Sequence, residues 1–170
     1  MENHQLINAT SGKVEYWTPL CIVDAARDTM GGIDLDPASS QAANDRIMAA
    51  RFFTEEQDGL KQPWEGRVWM NHPFGRKSNL AWIAKLISEY ELDQVGQACC
   101  ITYACTSERW FYPLTRYPQC FLRGRTNFLL PDGTVKKGVT KGSVVTYLGP
   151  RLAAFAYHFR EFGRIKIALN

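Results

Sequence analysis

The stretch Arg67-Val68-Trp69-Met70-Asn71-His72-Pro73-Phe74-Gly75 decides the reading of the fold. Four residues suited to a strand run straight into a polar, proline-containing turn. A helical pattern follows, with Leu80, Ile83, Ile87 and Tyr90 at helical spacing and Ser78 or Asn79 as candidate N-cap. Downstream, Ala98-Cys99-Cys100-Ile101-Thr102-Tyr103 is almost continuously apolar, as a strand buried on both faces is. Upstream, Ile33-Asp34-Leu35-Asp36-Pro37 alternates apolar and acidic residues, a short strand whose end carries carboxylates. Before it lies a helix that Thr18 caps, with Pro19 at its first position and Gly31-Gly32 at its end. Residues 39–51 read as a second helix and residues 54–66 as an acidic loop. Thr106 or Ser107 caps a short helix containing Trp110 and Phe111. The remainder reads as strands over residues 120–125, 127–130 and 143–148, with a turn at Pro131-Asp132-Gly133. Strands alternating with helices predict an α/β fold with a mostly parallel sheet and a C-terminal antiparallel hairpin. Residues 1–13 read as a flexible tail and residues 14–170 as a single domain.

The length of 170 residues suits one domain, and 45% hydrophobic with 22% charged residues excludes disordered and fibrous classes. No apolar run approaches the ~20 residues of a membrane span, and the polar N-terminus has no apolar core of a secretory signal. Five cysteines without a C-x-x-C pair support neither a disulfide framework nor a zinc ribbon, which makes a reducing cytoplasm the default. His4, His72 and His158 form no H-x-x-x-H pair, so no metal site is expected. Cys99 and Cys100 read as inert buried thiols, and Trp64, Trp69, Trp82 and Trp110 as core. Charge is unevenly placed: residues 109–170 hold 11 Lys and Arg against 2 Asp and Glu, whereas residues 1–108 hold 9 against 15. A basic C-terminal third suits either a polyanionic partner or a merely solvated surface.

Three constellations can carry chemistry. In Asn71-His72-Pro73-Phe74 an amide, a main-chain carbonyl and an aromatic ring converge at a strand end, where α/β sheets bind ligands. The two N–H bonds of an exocyclic amine on a base need two acceptors, which the Asn71 side-chain oxygen and the His72 carbonyl supply. Phe74 offers a stacking face worth ~1–3 kcal/mol, and such a base must first leave the duplex. In Gly32-Ile33-Asp34-Leu35-Asp36-Pro37-Ala38-Ser39-Ser40, a carboxylate at a strand end followed by small residues suits ribose hydroxyls; either Asp34 or Asp36 can serve. In Tyr16-Trp17-Thr18-Pro19, a helix N-terminus offers N–H groups to a carboxylate.

Together, Y-W-T-P, then G-G-I-D-L-D-P-A-S-S, then R-F-F-T-E-E-Q-D-G-L-K-Q-P-W-E-G-R-V-W-M-N-H-P-F resemble the phage DNA N-6-adenine methyltransferase family, the Dam-type enzymes of phages and prophages. The Asn71–Phe74 tetrapeptide is similar to the [DNS]-P-P-[YFW] motif of amino-methyltransferases, with His72 in place of the first proline. That substitution removes the lock a proline places on its own φ. The resemblance implies a Rossmann-like class I fold that uses S-adenosyl-L-methionine (SAM); the chain is short, and no segment in it is large enough for a separate target-recognition domain. It implies Trp17, Thr18 and Pro19 beside the methionine part of SAM, Asp34 or Asp36 on its ribose, Asp58 near its adenine, and Asn71, His72, Pro73 and Phe74 around the target base. Arg123, Arg125, Lys136, Lys137 and Lys141 are expected on DNA phosphates. The expected activity is transfer of methyl to adenine N6 in phage or host DNA, in the cytoplasm of a bacterial host and the setting of restriction-modification. The alternatives are cytosine N4 as the acceptor, or a catalytically degenerate DNA-binding or anti-restriction module. Recognition is expected to be short or relaxed unless a homodimer supplies further surface.

Overall fold

A computed structural model describes residues 15–169; the predicted tail, residues 1–13 with His4, lies outside them. Seven strands form one sheet: β1 (Leu35–Asp36), β2 (Arg51–Phe52), β3 (Gly66–Met70), β4 (Val95–Tyr103), β5 (Gln119–Leu122), β6 (Ser143–Leu148) and β7 (Gly163–Lys166). Their order is β2-β1-β3-β4-β6-β5-β7. The β2-β1-β3-β4 half is parallel throughout, and the pairings of β6 with β4 and β5, and of β5 with β7, are antiparallel.

Helices α1 (Leu20–Met30) and α4 (Leu152–Phe159) pack together on one face, and α3 (Arg76–Glu91) covers the other. Strand periodicity explains the double core. Trp69, Cys99 and Ile101 point to the α1/α4 side, whereas Val68, Met70, Ala98 and Cys100 point to the α3 side. A strand buried on both faces needs apolar residues at every position, which is why β4 reads as a continuous apolar run. Trp64, Trp69, Trp82 and Trp110 are all buried.

The topology creates a crevice. Strands β1 and β3 are neighbours and parallel, but the chain leaves β1 through α2 (Gln41–Ile47), which packs towards α1, and leaves β3 through α3 on the opposite face. Connections that diverge at the carboxyl ends of adjacent strands open a cleft between them. Asp36 ends β1, and Asn71 immediately follows β3.

Several boundaries differ from the sequence reading. Pro19, not Thr18, is the N-cap of α1, and its carbonyl receives Ile22 N at 3.0 Å. Helix α2 stops at Met48, because Asn44 brackets the Ala49 peptide, accepting its N–H at 3.0 Å and donating to its carbonyl at 3.2 Å. Residues 51–52 then form β2, an edge strand whose first residue, Arg51, the reading places at the end of a helix. Helix α3 starts at Arg76 with Gly75 as N-cap, so Ser78 and Asn79 lie within its first turn. Trp110 and Phe111 precede a 3₁₀ turn, Tyr112–Arg116, rather than sit in a helix. Residues 127–130 make only bridges through Leu129, and α4 and β7 complete a C-terminal region more elaborate than a hairpin.

Two glycines are demanded by the geometry. Gly31 closes α1 in the left-handed region at φ 81°. Gly59 seats the 54–66 loop on the end of β1, where a Cβ would lie 1.9 Å from the Pro37 carbonyl oxygen. That collision is with backbone, which cannot yield without moving the loop. Gly59→Ala is therefore expected to destabilise the fold by about 1–3 kcal/mol in urea unfolding, and an unchanged midpoint would show that the contact is not tight.

Candidate active site

The three constellations meet at the carboxyl ends of β1 and β3. The Asn71 side-chain amide donates from Nδ2 to the Tyr16 carbonyl at 2.8 Å, joining segments 55 residues apart. The Ser40 hydroxyl donates to both carboxylate oxygens of Glu15, at 2.9 and 3.0 Å, and accepts from Ala43 N at 3.1 Å as the cap of α2. The Asp58-Gly59-Leu60 turn closes the α3 side by packing on Pro37, and Trp64 Nε1 donates to the Gly59 carbonyl at 2.8 Å.

Asp34 and Asp36 are two residues apart and have opposite environments. Asp34 receives a fork from Arg67, with Nη2 at 2.6 Å and Nε at 2.8 Å, and also the Arg67 backbone N–H at 2.8 Å. Arg67 further donates to the Gly31 carbonyl, tying the end of α1 to the start of β3. The guanidinium holds the Asp34 carboxyl below the usual carboxylate range. Asp36 is 1% exposed and has no cationic partner among the described residues. Burial pushes its carboxyl up to about 7; the Ala38 N–H at 3.2 Å and the Ser39 hydroxyl oppose that rise, and the nearby Glu15 charge adds to it. Asp58 is the N-cap of a 3₁₀ turn and lies 2.9 Å from Lys61, which lowers its carboxyl.

At the end of β3, Asn71 and Phe74 are half-buried, Pro73 is exposed and His72 is buried. Because Asn71 Nδ2 is engaged by Tyr16, its Oδ1 faces away as an acceptor, and no described residue donates to it or to the His72 carbonyl. The Phe74 ring packs on Tyr103 with centroids 4.7 Å apart and edge-on to Phe128 at 6.1 Å. The His72 side chain turns inward, stacked on Trp82 at 6.2 Å, with Nε2 2.8 Å from Asn79 Oδ1. Burial depresses its imidazole to about 4, so the ring is neutral.

The family model of DNA N-6-adenine-methyltransferase (Dam) matches residues 8–156. The chain belongs to that family. No curated protein matches it. Family membership makes this strand-end crevice the candidate site of a DNA adenine methyltransferase, with DNA as its substrate.

The five basic residues expected on DNA phosphates all lie on the connection from β5 to β6 of this Dam-family chain. Arg123 and Arg125 line a cavity of about 360 Å³ together with Pro19, Ile22 and Thr126, at the N-terminus of α1. Lys136 Nζ lies 5.3 Å from the Tyr16 ring and Lys141 Nζ 5.8 Å from the Tyr103 ring, beside the Phe74 cluster. Lys137 is exposed. A second cavity of about 520 Å³ is lined by Leu80 and residues 106–109 with Tyr112 and Pro113. Neither of these two cavities is lined by Asn71–Phe74. Sequence reasoning missed Tyr103, Phe128, Asn79 and Arg67. The alternation within β4 places Tyr103 on the Trp69 side, but nothing local marks the other three. Among the described residues no helix is long and apolar enough to cross a membrane, and no three His, Cys, Asp or Glu could hold a metal ion.

The Asp36 environment has a pH signature. The unfolded carboxyl ionises near its ordinary 3.8 and the folded one near 7, so the folded state binds more protons between these values. Stability contributed by the group therefore falls as pH rises from about 4 to about 7, and levels off above. Asp36→Asn removes that decline. Unfolding free energies of the two proteins should diverge across this interval by on the order of 2–4 kcal/mol in favour of Asn, and parallel pH profiles would contradict the assignment.

Proposed function

We propose that the chain is a SAM-dependent enzyme that methylates adenine N6 in DNA, and the free acceptor pair at the end of β3 is the observation that carries this reading. Asn71 Oδ1 and the His72 carbonyl accept the two N–H bonds of the adenine amine, which leaves the nitrogen lone pair directed at the incoming carbon. Phe74 stacks on the extruded base, with Tyr103 and Phe128 packed behind it. Positioning and lone-pair exposure then supply the catalysis.

The residues present fit the cofactor. Trp17 Nε1 and Thr18 Oγ1 are buried with no hydrogen-bond partner among the described residues, and both lie in the Tyr16–Pro19 segment that Asn71 grips. They suit the polar methionine end of SAM, beside Pro19 and the N-terminus of α1. Asp36 suits the ribose hydroxyls, whose donated hydrogen bonds favour the carboxylate that burial disfavours. Asp34 is already committed to Arg67. Asp58, on the turn seated against Pro37, suits the cofactor adenine. When bound, SAM supplies an activated methyl group.

The parallel half-sheet with its divergent connections supports a Rossmann-like class I enzyme. Arg123, Arg125, Lys136, Lys137 and Lys141 then position DNA through phosphates rather than read its bases, so recognition is short or relaxed unless a homodimer adds surface. The cytoplasm of a bacterial host is the proposed setting.

Labelled SAM incubated with the protein and unmethylated DNA, followed by digestion to nucleosides, should place label in N6-methyl-2′-deoxyadenosine. Label in N4-methylcytosine, or none, would overturn the reading in favour of a cytosine enzyme or a binding module. Asn71→Ala should lower transfer by roughly 10²–10³-fold while SAM affinity, measured by calorimetry, stays within about twofold. For DNA binding, Arg123→Ala with Arg125→Ala should weaken affinity equally for all sequences and reduce the slope of log K against log salt by about 2; an unchanged slope would remove both residues from the DNA contact.

A further inference from the structure

We propose that Asn79 is a positioning residue for the base-holding turn: by fixing His72 from the first turn of α3, it replaces the backbone lock that proline would supply at position 72. This rests on the methyltransferase reading of the turn. If the His72 carbonyl accepts from the target base, its direction must be fixed before the base arrives, and a histidine has a free φ where a proline has none.

The structure contains a substitute for that lock. Asn79 Oδ1 lies 2.8 Å from His72 Nε2 and 3.4 Å from Gly75 N. A backbone N–H can only donate, so Oδ1 is the acceptor, and Nε2 therefore carries the imidazole proton. Asn79 is 7% exposed and its own N–H donates to the Gly75 carbonyl at 2.8 Å, so one residue holds both ends of the turn. The His72 ring is 2% exposed, stacked on Trp82 and edge-on to Phe74 at 5.5 Å. The clamp thus runs from Asn79 through the imidazole to the stacking ring itself. Ser78 adds a second tie, donating to the Pro73 carbonyl at 2.7 Å. His72 Nδ1 is buried without a partner, which makes Asn79 the only described hydrogen-bond partner of the ring.

The test is a double-mutant cycle. Asn79→Leu keeps the volume and removes the acceptor; with His72 in place it should lower kcat by on the order of 10- to 100-fold and leave the KM for SAM unchanged. With His72→Pro as the background, Asn79→Leu should cost less than about threefold, because the ring then holds φ. Asn79→Asp, which keeps an acceptor at the same place, should stay within a few fold of the parent. Equal losses in both backgrounds, or no loss with His72, would overturn the proposal. A second readout needs no activity. In the unliganded protein, imidazole ¹⁵N correlation spectra should show the Nε2–H tautomer of His72 with a slowly exchanging proton, and Asn79→Leu should abolish its protection. An inactive parent protein would sink the methyltransferase reading and leave the clamp to be judged by that spectrum, where an Nδ1–H tautomer or a freely exchanging proton overturns it.

Discussion

Everything in the site depends on the parallel pairing of β1 with β3, registered through Leu35 and Val68. Two short strands run side by side, and the chain then leaves them towards opposite faces of the sheet. Backbone hydrogen bonding cannot close the gap between diverging connections, so side chains from distant segments must fill it. Asn71 does so by reaching the Tyr16 carbonyl, Ser40 by reaching Glu15, and Gly59 by letting its loop touch Pro37. Each of these contacts joins parts of the sequence that have no local reason to meet. A crevice built in this way is polar at its rim and apolar below, since both cores run up to it from either side of the sheet.

The two aspartates of β1 show how the sheet separates structure from chemistry. Asp34 stands at the start of the strand, where Arg67 of β3 satisfies it through a fork and a backbone N–H and also grips the end of α1. It is a staple, half-exposed and firmly ionised. Asp36 stands at the other end, where burial meets no cation among the described residues. A buried carboxyl without a counter-charge is costly to a fold, and a fold that retains one at the mouth of a crevice suits a ligand that donates to it. The sequence Ile33-Asp34-Leu35-Asp36 leaves both residues open as candidates. Only the position of Arg67 across the strand pair separates them.

The parts of the fold that follow from periodicity were legible. The apolar run of β4, the helical spacing of α3 and the Gly31-Gly32 stop each carry a strong local signal, and each element lies where that signal puts it. The errors arise where a side chain overrides propensity. Ser78 and Asn79 are good caps by composition, yet helix α3 begins earlier because both side chains reach back into the turn, to Pro73, Gly75 and His72. Residues 48–51 look helical until Asn44 ends α2, and Arg51 then opens the strand on the edge of β1. The turn at Pro131-Asp132-Gly133 was visible because its chemistry is local: Asp132 accepts from Thr134 N at 2.8 Å, and Gly133 takes φ 82°. At the site, the acceptor pair follows from residue type and position, whereas Tyr103, Phe128 and the inward turn of His72 follow from tertiary packing and leave no local trace.

The same connection, residues 123–142, brings charge and stacking together. Leu129 exchanges backbone hydrogen bonds with Trp17 at 2.8 Å in each direction, which anchors the connection to the segment that Asn71 grips. From that anchor, Phe128 turns to Phe74, Lys136 lies over Tyr16, and Lys141 lies over Tyr103. A lysine on an exposed aromatic face gains only about 0.5–1 kcal/mol, far less than it gains in a field of phosphates, so an arriving strand can draw these ammonium groups away from the rings. On the proposed reading, the segment that contacts the DNA backbone also shields the aromatic cluster behind the base. On that reading, phosphate contact is tied to access to the pocket, and the chain gains selectivity for DNA as a polymer before any base is read.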